Sequence, residues 1–173
     1  MPEPNRIEGE TCPFCNSKTL TLMEEEIEVP YFGNVFVFSM SCSSCKYHKA
    51  DVEAEEQKPP VKFTLDITDA KDMDIRVVKS SEATVKIPRI ASIEPGPASE
   101  GYITNVEGIF QRIKDQLEHI KNNDDDEEAQ ENARKMIKKI NRIVVGQDPA
   151  KLVIEDPSGN SAIISDKAVK GKL

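Results

Sequence analysis

Apolar and polar residues alternate with a period of two through the first third of the chain. The stretches 20–22 and 27–29 place leucine, isoleucine and valine between threonines and glutamates, which predicts one strand that ends at Pro30. Gly33-Asn34 supplies a turn. The run 35–40 is rich in valine and phenylalanine, so we expect a second strand that returns antiparallel to the first.

The same period recurs in short pieces farther along the chain. The segments 61–67, 75–78 and 83–87 alternate in this way and are separated by polar turn residues. Two later segments, 151–155 and 161–164, flank Asp-Pro-Ser-Gly-Asn. Because proline, glycine and asparagine suit the special backbone angles of a turn, this pair predicts a β-hairpin. The polar tail that follows predicts a frayed end.

Between these strand-like segments the period changes to that of an α-helix. Thr104 and Glu107 have the spacing of a capping box, so the first helix is expected to begin near Asn105. The acidic run 124–128 predicts a solvated connection whose last carboxylates stabilise the next helix N-terminus, and Gly146 predicts that helix's end. The two apolar stripes are Val106, Ile109, Phe110, Ile113, Leu117 and Ile120, then Ala129, Ala133, Met136, Ile137, Ile140 and Val144.

These elements predict an α+β, mainly β, protein with two parts. Residues 1–52 are interpreted as a ribbon, 53–60 as a charged linker ending in Pro-Pro, and 61–173 as a β-domain. An antiparallel helical hairpin occupies about 105–145. Strands on both sides of this insertion must pair across it, because neither set buries its apolar face alone.

Four cysteines form two Cys-x-x-Cys pairs, and they carry the strongest chemical signal. Cys12 and Cys15 make the first pair and Cys42 and Cys45 the second, a pattern typical of a tetrahedral structural Zn²⁺ site with one ion per chain. Two disulfides would need an oxidising compartment, and a redox Cys-x-x-Cys normally occurs once beside a βαβ unit. His48 is an alternative ligand that the four thiolates make unnecessary.

Composition narrows the classes of function. The 173 residues carry a formal net charge of −8, which disfavours nucleic acid as a partner. No apolar run approaches the roughly 18 residues of a membrane-spanning helix, and no secretory signal opens the sequence, so a reducing cytoplasmic location is expected. No nucleophile elbow, phosphate loop or Cys/His pair indicates catalysis, so we expect a protein that is not an enzyme.

Two surface features leave alternatives open. Tyr31 and Phe32 lie at the expected hairpin tip, where they either pack the core or form a partner-binding patch. The cluster 46–49 (Lys-Tyr-His-Lys) either contacts phosphate, as in nucleic-acid-binding zinc ribbons of transcription or translation, or offsets the charge of the thiolates. A steep salt dependence of binding would favour the first use.

An ordered set of motifs resembles the ZPR-type zinc-finger proteins. The motifs are the first Cys-x-x-Cys turn or knuckle (Cys12 and Cys15), 29–35 (VPYFGNV), 40–45 (MSCSSC), 76–80 (RVVKS), 83–88 (ATVKIP), 101–108 (GYITNVEG) and 156–161 (DPSGNS). A double Cys-x-x-Cys alone is generic. The motifs 101–108 and 156–161, in this order, make the similarity specific.

The resemblance implies a four-cysteine zinc ribbon followed by a double-stranded β-helix-like domain with a helical hairpin. It also implies a partner, because two-unit eukaryotic members bind translation elongation factor one-alpha, a GTPase, and assist its folding. This sequence has one unit and resembles the archaeal form. Two positions depart from the family pattern: Lys46 stands where glycine is usual, and Arg89 stands where an acidic residue is common.

Overall fold

A computed structural model describes residues 4–30, 32–56 and 58–173. Its first part, here called the ribbon, is one antiparallel sheet of four strands in chain order. The strands are β1 (Asn5–Glu10), β2 (Leu20–Val29), β3 (Gly33–Cys42) and β4 (His48–Ala54). The central pair, β2 and β3, runs in unbroken register from Leu20 opposite Cys42 to Val29 opposite Gly33. The predicted hairpin between the two knuckles therefore forms.

The second part, here called the β-domain, contains two further sheets. Its elements are β5 (Val61–Ile67), β6 (Arg76–Lys79), β7 (Thr84–Ile87), β8 (Ala91–Ile93), β9 (Tyr102–Asn105), α1 (Val106–Asn123), α2 (Glu127–Val144), β10 (Ala150–Asp156), β11 (Ala162–Ile164) and β12 (Val169–Lys172). A short 3-10 helix, Ala70–Asp74, follows β5. One sheet has the strand order β12-β5-β10-β7-β8 and the other β11-β6-β9.

The largest apolar core lies between these sheets and the helical hairpin. Alternation along β5 buries every second residue, and α1 buries one face through Val106, Ile109, Phe110 and Ile113. Each such side chain stabilises the fold by about 1.5–3 kcal/mol relative to exposure. Strands before and after the helices do pair, since β5 lies beside β10 along its whole length. The predicted α+β, mainly β class with an inserted helical hairpin is confirmed.

The helix ends agree with the sequence in place but not always in mechanism. Asn105, rather than Thr104, caps α1: its side chain accepts a hydrogen bond from the Gly108 N–H at 2.8 Å. Asp126 caps α2 in the same way. Gly146 follows α2 with φ of +75°, and its N–H donates to the Ile143 carbonyl. No helix within the described ranges combines the length and apolar character needed to cross a membrane.

Two predictions about strands are wrong. The turn 156–161 is not a hairpin turn: β10 pairs with β5 and β7, while β11 pairs with β6 in the other sheet. That turn carries the chain from one sheet to the other. The tail is not frayed, because β12 pairs with β5 from Val169 opposite Thr64 to Lys172 opposite Val61.

The ribbon packs directly on the β-domain through one face of its sheet. Val29, Val35 and Val52 are buried against Val78 of β6. A second contact is made by backbone alone: the Gly101 N–H donates to the Ala50 carbonyl at 3.0 Å. This approach is so close that a Cβ at Gly101 would lie 2.6 Å from the Val52 nitrogen.

Gly101→Ala is expected to destabilise the protein by about 1–3 kcal/mol, because β4 must move away to admit the methyl group. Urea denaturation of the zinc-loaded chain measures the change. Gly96→Ala is the matched control, since a Cβ there meets nothing within 4 Å, and its effect should be small or slightly stabilising. Equal midpoints for the two variants would contradict the close contact.

Candidate metal centre

The two Cys-x-x-Cys pairs fold into knuckles of nearly identical backbone. In the first, the Asn16 N–H donates to the Cys12 carbonyl at 2.9 Å; in the second, the Lys46 N–H donates to the Cys42 carbonyl at 3.1 Å. The residue that ends each knuckle has positive φ, 56° at Asn16 and 63° at Lys46. Each turn therefore directs two thiols to the same side, toward the other knuckle.

The four sulfurs converge with the spacing of a tetrahedral site. Cys12 Sγ lies 3.7 Å from Cys45 Sγ, and Cys15 Sγ lies 3.6 Å from Cys42 Sγ. All four Sγ atoms lie within 4.8 Å of one another. A Zn–S distance of about 2.3 Å places tetrahedral sulfurs about 3.8 Å apart. The donor set therefore fits zinc, and these separations are far too long for disulfide bonds of about 2.05 Å.

Two hydroxyl groups that the sequence reading did not single out surround the sulfurs. Ser17 Oγ lies 3.0 Å from Cys15 Sγ, and Thr19 Oγ1 lies 3.3 Å from Cys42 Sγ. The hydroxyls also contact each other at 2.7 Å. Outer partners of this kind orient metal ligands and tune their charge. A signal for them exists in hindsight, since both are short polar residues just after the first knuckle.

The cysteines differ in how readily they ionise. The Cys45 backbone N–H, then the Thr19 hydroxyl, lower the pKa of Cys42 to about 5 against the effect of burial. The Ser17 hydroxyl and N–H likewise lower the pKa of Cys15. The Tyr47 N–H lowers the pKa of Cys45, but burial and the neighbouring sulfurs outweigh it and raise that pKa to about 12. Four adjacent thiolates need a cation, and a divalent metal supplies its charge.

His48 lies apart from the sulfurs. Its Nδ1 is 2.8 Å from Ser41 Oγ, and its Nε2 is 3.9 Å from a carboxylate oxygen of Glu100. In the described part of the chain, the group of convergent metal-ligand atoms consists of the four cysteine sulfurs and does not include His48. The imidazole therefore helps to pair β3 with β4 at the edge of the ribbon.

Lys46, which stands where glycine is usual in the family, has a strained backbone. Its φ of 63° lies in the left-handed region, which costs a residue with a Cβ about 1–2 kcal/mol. Arg89, the other departure, also has positive φ, 65°, in the exposed turn between β7 and β8. Asparagine tolerates this region better, so Asn16 is less strained.

Lys46→Gly is expected to stabilise the zinc-loaded protein by about 0.5–1 kcal/mol. Removing the Cβ relieves backbone strain in the folded state, and this gain is larger than the free energy lost through the greater flexibility of the unfolded chain. Thermal unfolding at constant zinc measures the change. Asn16→Gly makes the same replacement in the first knuckle and should have a smaller effect. A lower melting temperature for Lys46→Gly than for the unmodified chain would contradict the strain at this position.

The turn 156–161 and the end of β6 meet in a buried polar cluster. Asp156 is fully buried, and its carboxylate accepts hydrogen bonds from Ser80 Oγ at 2.9 Å and Ser161 Oγ at 2.5 Å. The Ser158 N–H and hydroxyl donate to its other oxygen at 2.8 and 2.7 Å. Residues of the motifs 76–80 and 156–161 therefore form one network.

This cluster includes a buried cation and reaches the ribbon. Lys79 is 2 % exposed and donates to the carbonyls of Ser80 and Glu100. Burial lowers the pKa of Lys79 by more than the charges of Asp51 and Asp156 raise it, so the pKa lies below its ordinary value. Asp51 of β4 accepts from the Ser81 N–H at 2.9 Å and from its hydroxyl. The network thus fixes the ribbon against the β-domain.

The structure describes one of the two residues that are predicted to bind a partner. Tyr31 lies outside the described residues. Phe32 is half-buried and packs against both the ribbon core and the β-domain core. Lys58 covers it, with Nζ 3.3 Å from the ring centroid and 2.8 Å from the Phe32 carbonyl oxygen.

Four convergent cysteine sulfurs on a β-ribbon, joined to a two-sheet β-domain with a helical hairpin, define a zinc-finger protein with a jelly-roll domain. Family models match both parts: the ZPR1 zinc-finger domain over residues 8–59 and the ZPR1 jelly-roll domain over residues 71–172. The chain therefore belongs to the ZPR1 family, as the ordered motifs predicted.

Individual relatives agree with this assignment. A ZPR1-like protein of Methanocaldococcus jannaschii is 36 % identical over 157 residues, which cover 90 % of this chain and 79 % of the relative. A ZPR1-like protein of Pyrococcus horikoshii is 35 % identical over 94 % of this chain and 75 % of its own length. The zinc finger chaperone zpr1 of Schizosaccharomyces pombe is 32 % identical over 78 % of this chain and 30 % of its own length.

Proposed function

We propose that this chain is a zinc-binding protein-interaction module that binds, or assists the folding of, a translation elongation factor of the one-alpha type, a GTPase, in the cytoplasm. The observation that carries the proposal is the four-cysteine cage in a chain related to a zinc finger chaperone. The particular partner is inferred from the family resemblance.

In this proposal one Zn²⁺ per chain is held by Cys12, Cys15, Cys42 and Cys45 and acts structurally. Four thiolates close the coordination shell, so no position remains for a water or a substrate. The metal then contributes by holding the ribbon in one shape, and recognition is the work of the surfaces around it.

Tyr31 and Phe32 remain our candidates for contact with the partner. Phe32 lines a groove of about 710 Å³ between the ribbon tip and the β-domain, together with Lys58, Phe63 and Lys170. Asp166 also lines the groove and offsets one of the two lysines. The aromatic walls and the remaining positive charge suit an apolar segment that carries a negative charge.

The test is refolding of a purified elongation factor of this type from denaturant, with GTP binding as the readout. Zinc-loaded chain should be captured with the refolding factor and raise the recovered GTP binding several-fold. Bovine serum albumin at the same concentration controls for crowding. If the chain neither associates with the factor nor changes its recovery, the proposed function is wrong.

A nucleic-acid-binding ribbon is the second candidate, and one observation favours it. Phe14 in the first knuckle is 73 % exposed and stacks on Tyr47 with ring centroids 4.5 Å apart, next to Lys46. Exposed aromatic rings beside a cation can stack on unpaired bases. Anisotropy titration with single-stranded RNA at two salt concentrations distinguishes the candidates, because a steep loss of affinity with salt is expected only for phosphate binding.

A further inference from the structure

The outer face of the ribbon carries an aromatic stripe. Since Val35 and Val37 of β3 face the β-domain, the alternate residues Phe36, Phe38 and Met40 face the other way. The rings of Phe36 and Phe38 are half-exposed, and their centroids are 6.3 Å apart. Within the described chain, neither ring belongs to an apolar core.

The strand register places carboxylates on both sides of this stripe. Phe38 lies opposite Glu24 of β2 and Asp51 of β4, and Phe36 lies opposite Glu26 and Glu53. The three glutamates are exposed. In the part of the chain that the structure describes, none of them forms a salt bridge. Asp51 is already hydrogen-bonded to Ser81. The carboxylates available to a cation are therefore Glu24 beside Phe38, and Glu26 and Glu53 on either side of Phe36.

An apolar hollow of about 270 Å³ lies at one end of the stripe. Its apolar walls come from Ile7 of β1, Leu22 of β2 and Met40 of β3, and Ile7 is 49 % exposed. Met40, Phe38 and Phe36 succeed one another at every second residue of β3. Phe38 also lines the hollow, so the hollow, the Phe38 ring and the Phe36 ring follow one another along β3.

We propose that this face binds an extended segment of a partner protein, with an apolar side chain in the hollow and arginines two and four residues further along. Alternate residues of an extended chain are about 6.6 Å apart, close to the 6.3 Å between the rings. A guanidinium stacks on an aromatic face and donates to carboxylates at its rim. This proposal rests on the proposed function in one respect: both take the ligand to be a protein.

The probe is a fluorescent peptide with leucine, arginine and arginine at alternate positions among threonines, titrated with the zinc-loaded full chain. We expect binding at least tenfold tighter than for a peptide with glutamates in place of the arginines. Glu24→Lys and Phe38→Thr should each weaken binding about tenfold. Asp125→Lys, in the loop between α1 and α2, changes the net charge equally and should leave binding unchanged; zinc content and melting temperature verify each fold.

Equal affinity for the arginine and glutamate peptides, or equal binding by Glu24→Lys and Asp125→Lys, would overturn the proposal. So would a concentration-dependent dimer that Phe38→Thr abolishes in a chain that binds no peptide, because a second copy would then cover the face. The refolding assay reports on the proposed function separately. Full chaperone activity without peptide binding would reject this surface alone.

Discussion

Cys12→Ser is expected to release the metal and unfold the ribbon while the β-domain stays folded. Cys12 is fully buried and its Sγ lies 3.7 Å from Cys45 Sγ, so a serine hydroxyl leaves three thiolates around the ion. Binding of structural zinc contributes about 10–16 kcal/mol in zinc-finger peptides, and that binding energy is also folding energy. The ribbon's own buried residues around the site are few: Cys12, Leu20 and Cys42.

Hydrogen exchange, with zinc content measured on the same sample, follows this prediction. Amides of β2 and β3 should lose most of their protection in Cys12→Ser, whereas those of β5 and β10 should keep theirs. Ser44→Ala changes an exposed residue between the two cysteines of the second knuckle and should retain one zinc per chain. A Cys12→Ser protein with normal zinc content and unchanged exchange would show that the four sulfurs do not act as one site.

Asp156→Ala is expected to destabilise the β-domain by about 3–5 kcal/mol. The carboxylate accepts four hydrogen bonds from Ser80, Ser158 and Ser161. Its charge also compensates the buried Lys79 ammonium. Alanine leaves the buried Lys79 ammonium without this compensating charge and leaves the serine hydroxyls without an acceptor. Each loss costs more free energy inside the protein than it would at the surface.

Chemical denaturation of the zinc-loaded chain, followed by circular dichroism, measures this change. Asp66→Ala is the matched control, because Asp66 also lies on a strand of the five-stranded sheet but is 72 % exposed in its ion pair with Lys151. That variant should cost less than about 1 kcal/mol. Similar losses for Asp156→Ala and Asp66→Ala would refute the role of the buried cluster.

Local patterns in the sequence predicted local structure well. Alternation over 20–22 and 27–29, the turn at Gly33-Asn34 and the β-rich run 35–40 predicted the central hairpin, which the structure forms from 20–29 and 33–42. The apolar stripe of α1 predicted its buried residues Ile109 and Phe110. The cysteine spacing predicted the cage, since two knuckles of this type have little freedom in where they direct their thiols.

Pairing between distant strands was not predictable in the same way. The turn 156–161 has the composition of a hairpin turn, yet the strands on either side enter different sheets. Its composition has another cause, because Asp156 and Ser161 supply the buried network and Gly159 lies against the linker. The strand β12 was missed because its four exposed residues bury no apolar face, and the strand is held by its pairing with β5.

The outer face of the ribbon shows a different limit. The alternation of Phe36 and Phe38 with valines was visible, but both kinds of residue are apolar, so periodicity alone did not say which side faces solvent. Only the packing of Val35 on Val78 settles it. The strand register places acidic residues of β2 beside the rings of β3, and a single sequence does not specify that register.

The pairing of β5 with β10 has a consequence for how the chain folds. It joins Val61 to Asp156 and Ile67 to Ala150, across the whole helical hairpin, whereas the ribbon is a meander of neighbouring strands. Contacts between residues distant in sequence form slowly, since a long loop must close before they contribute. During synthesis the ribbon can therefore acquire its metal before β10, the partner strand of β5, has left the ribosome.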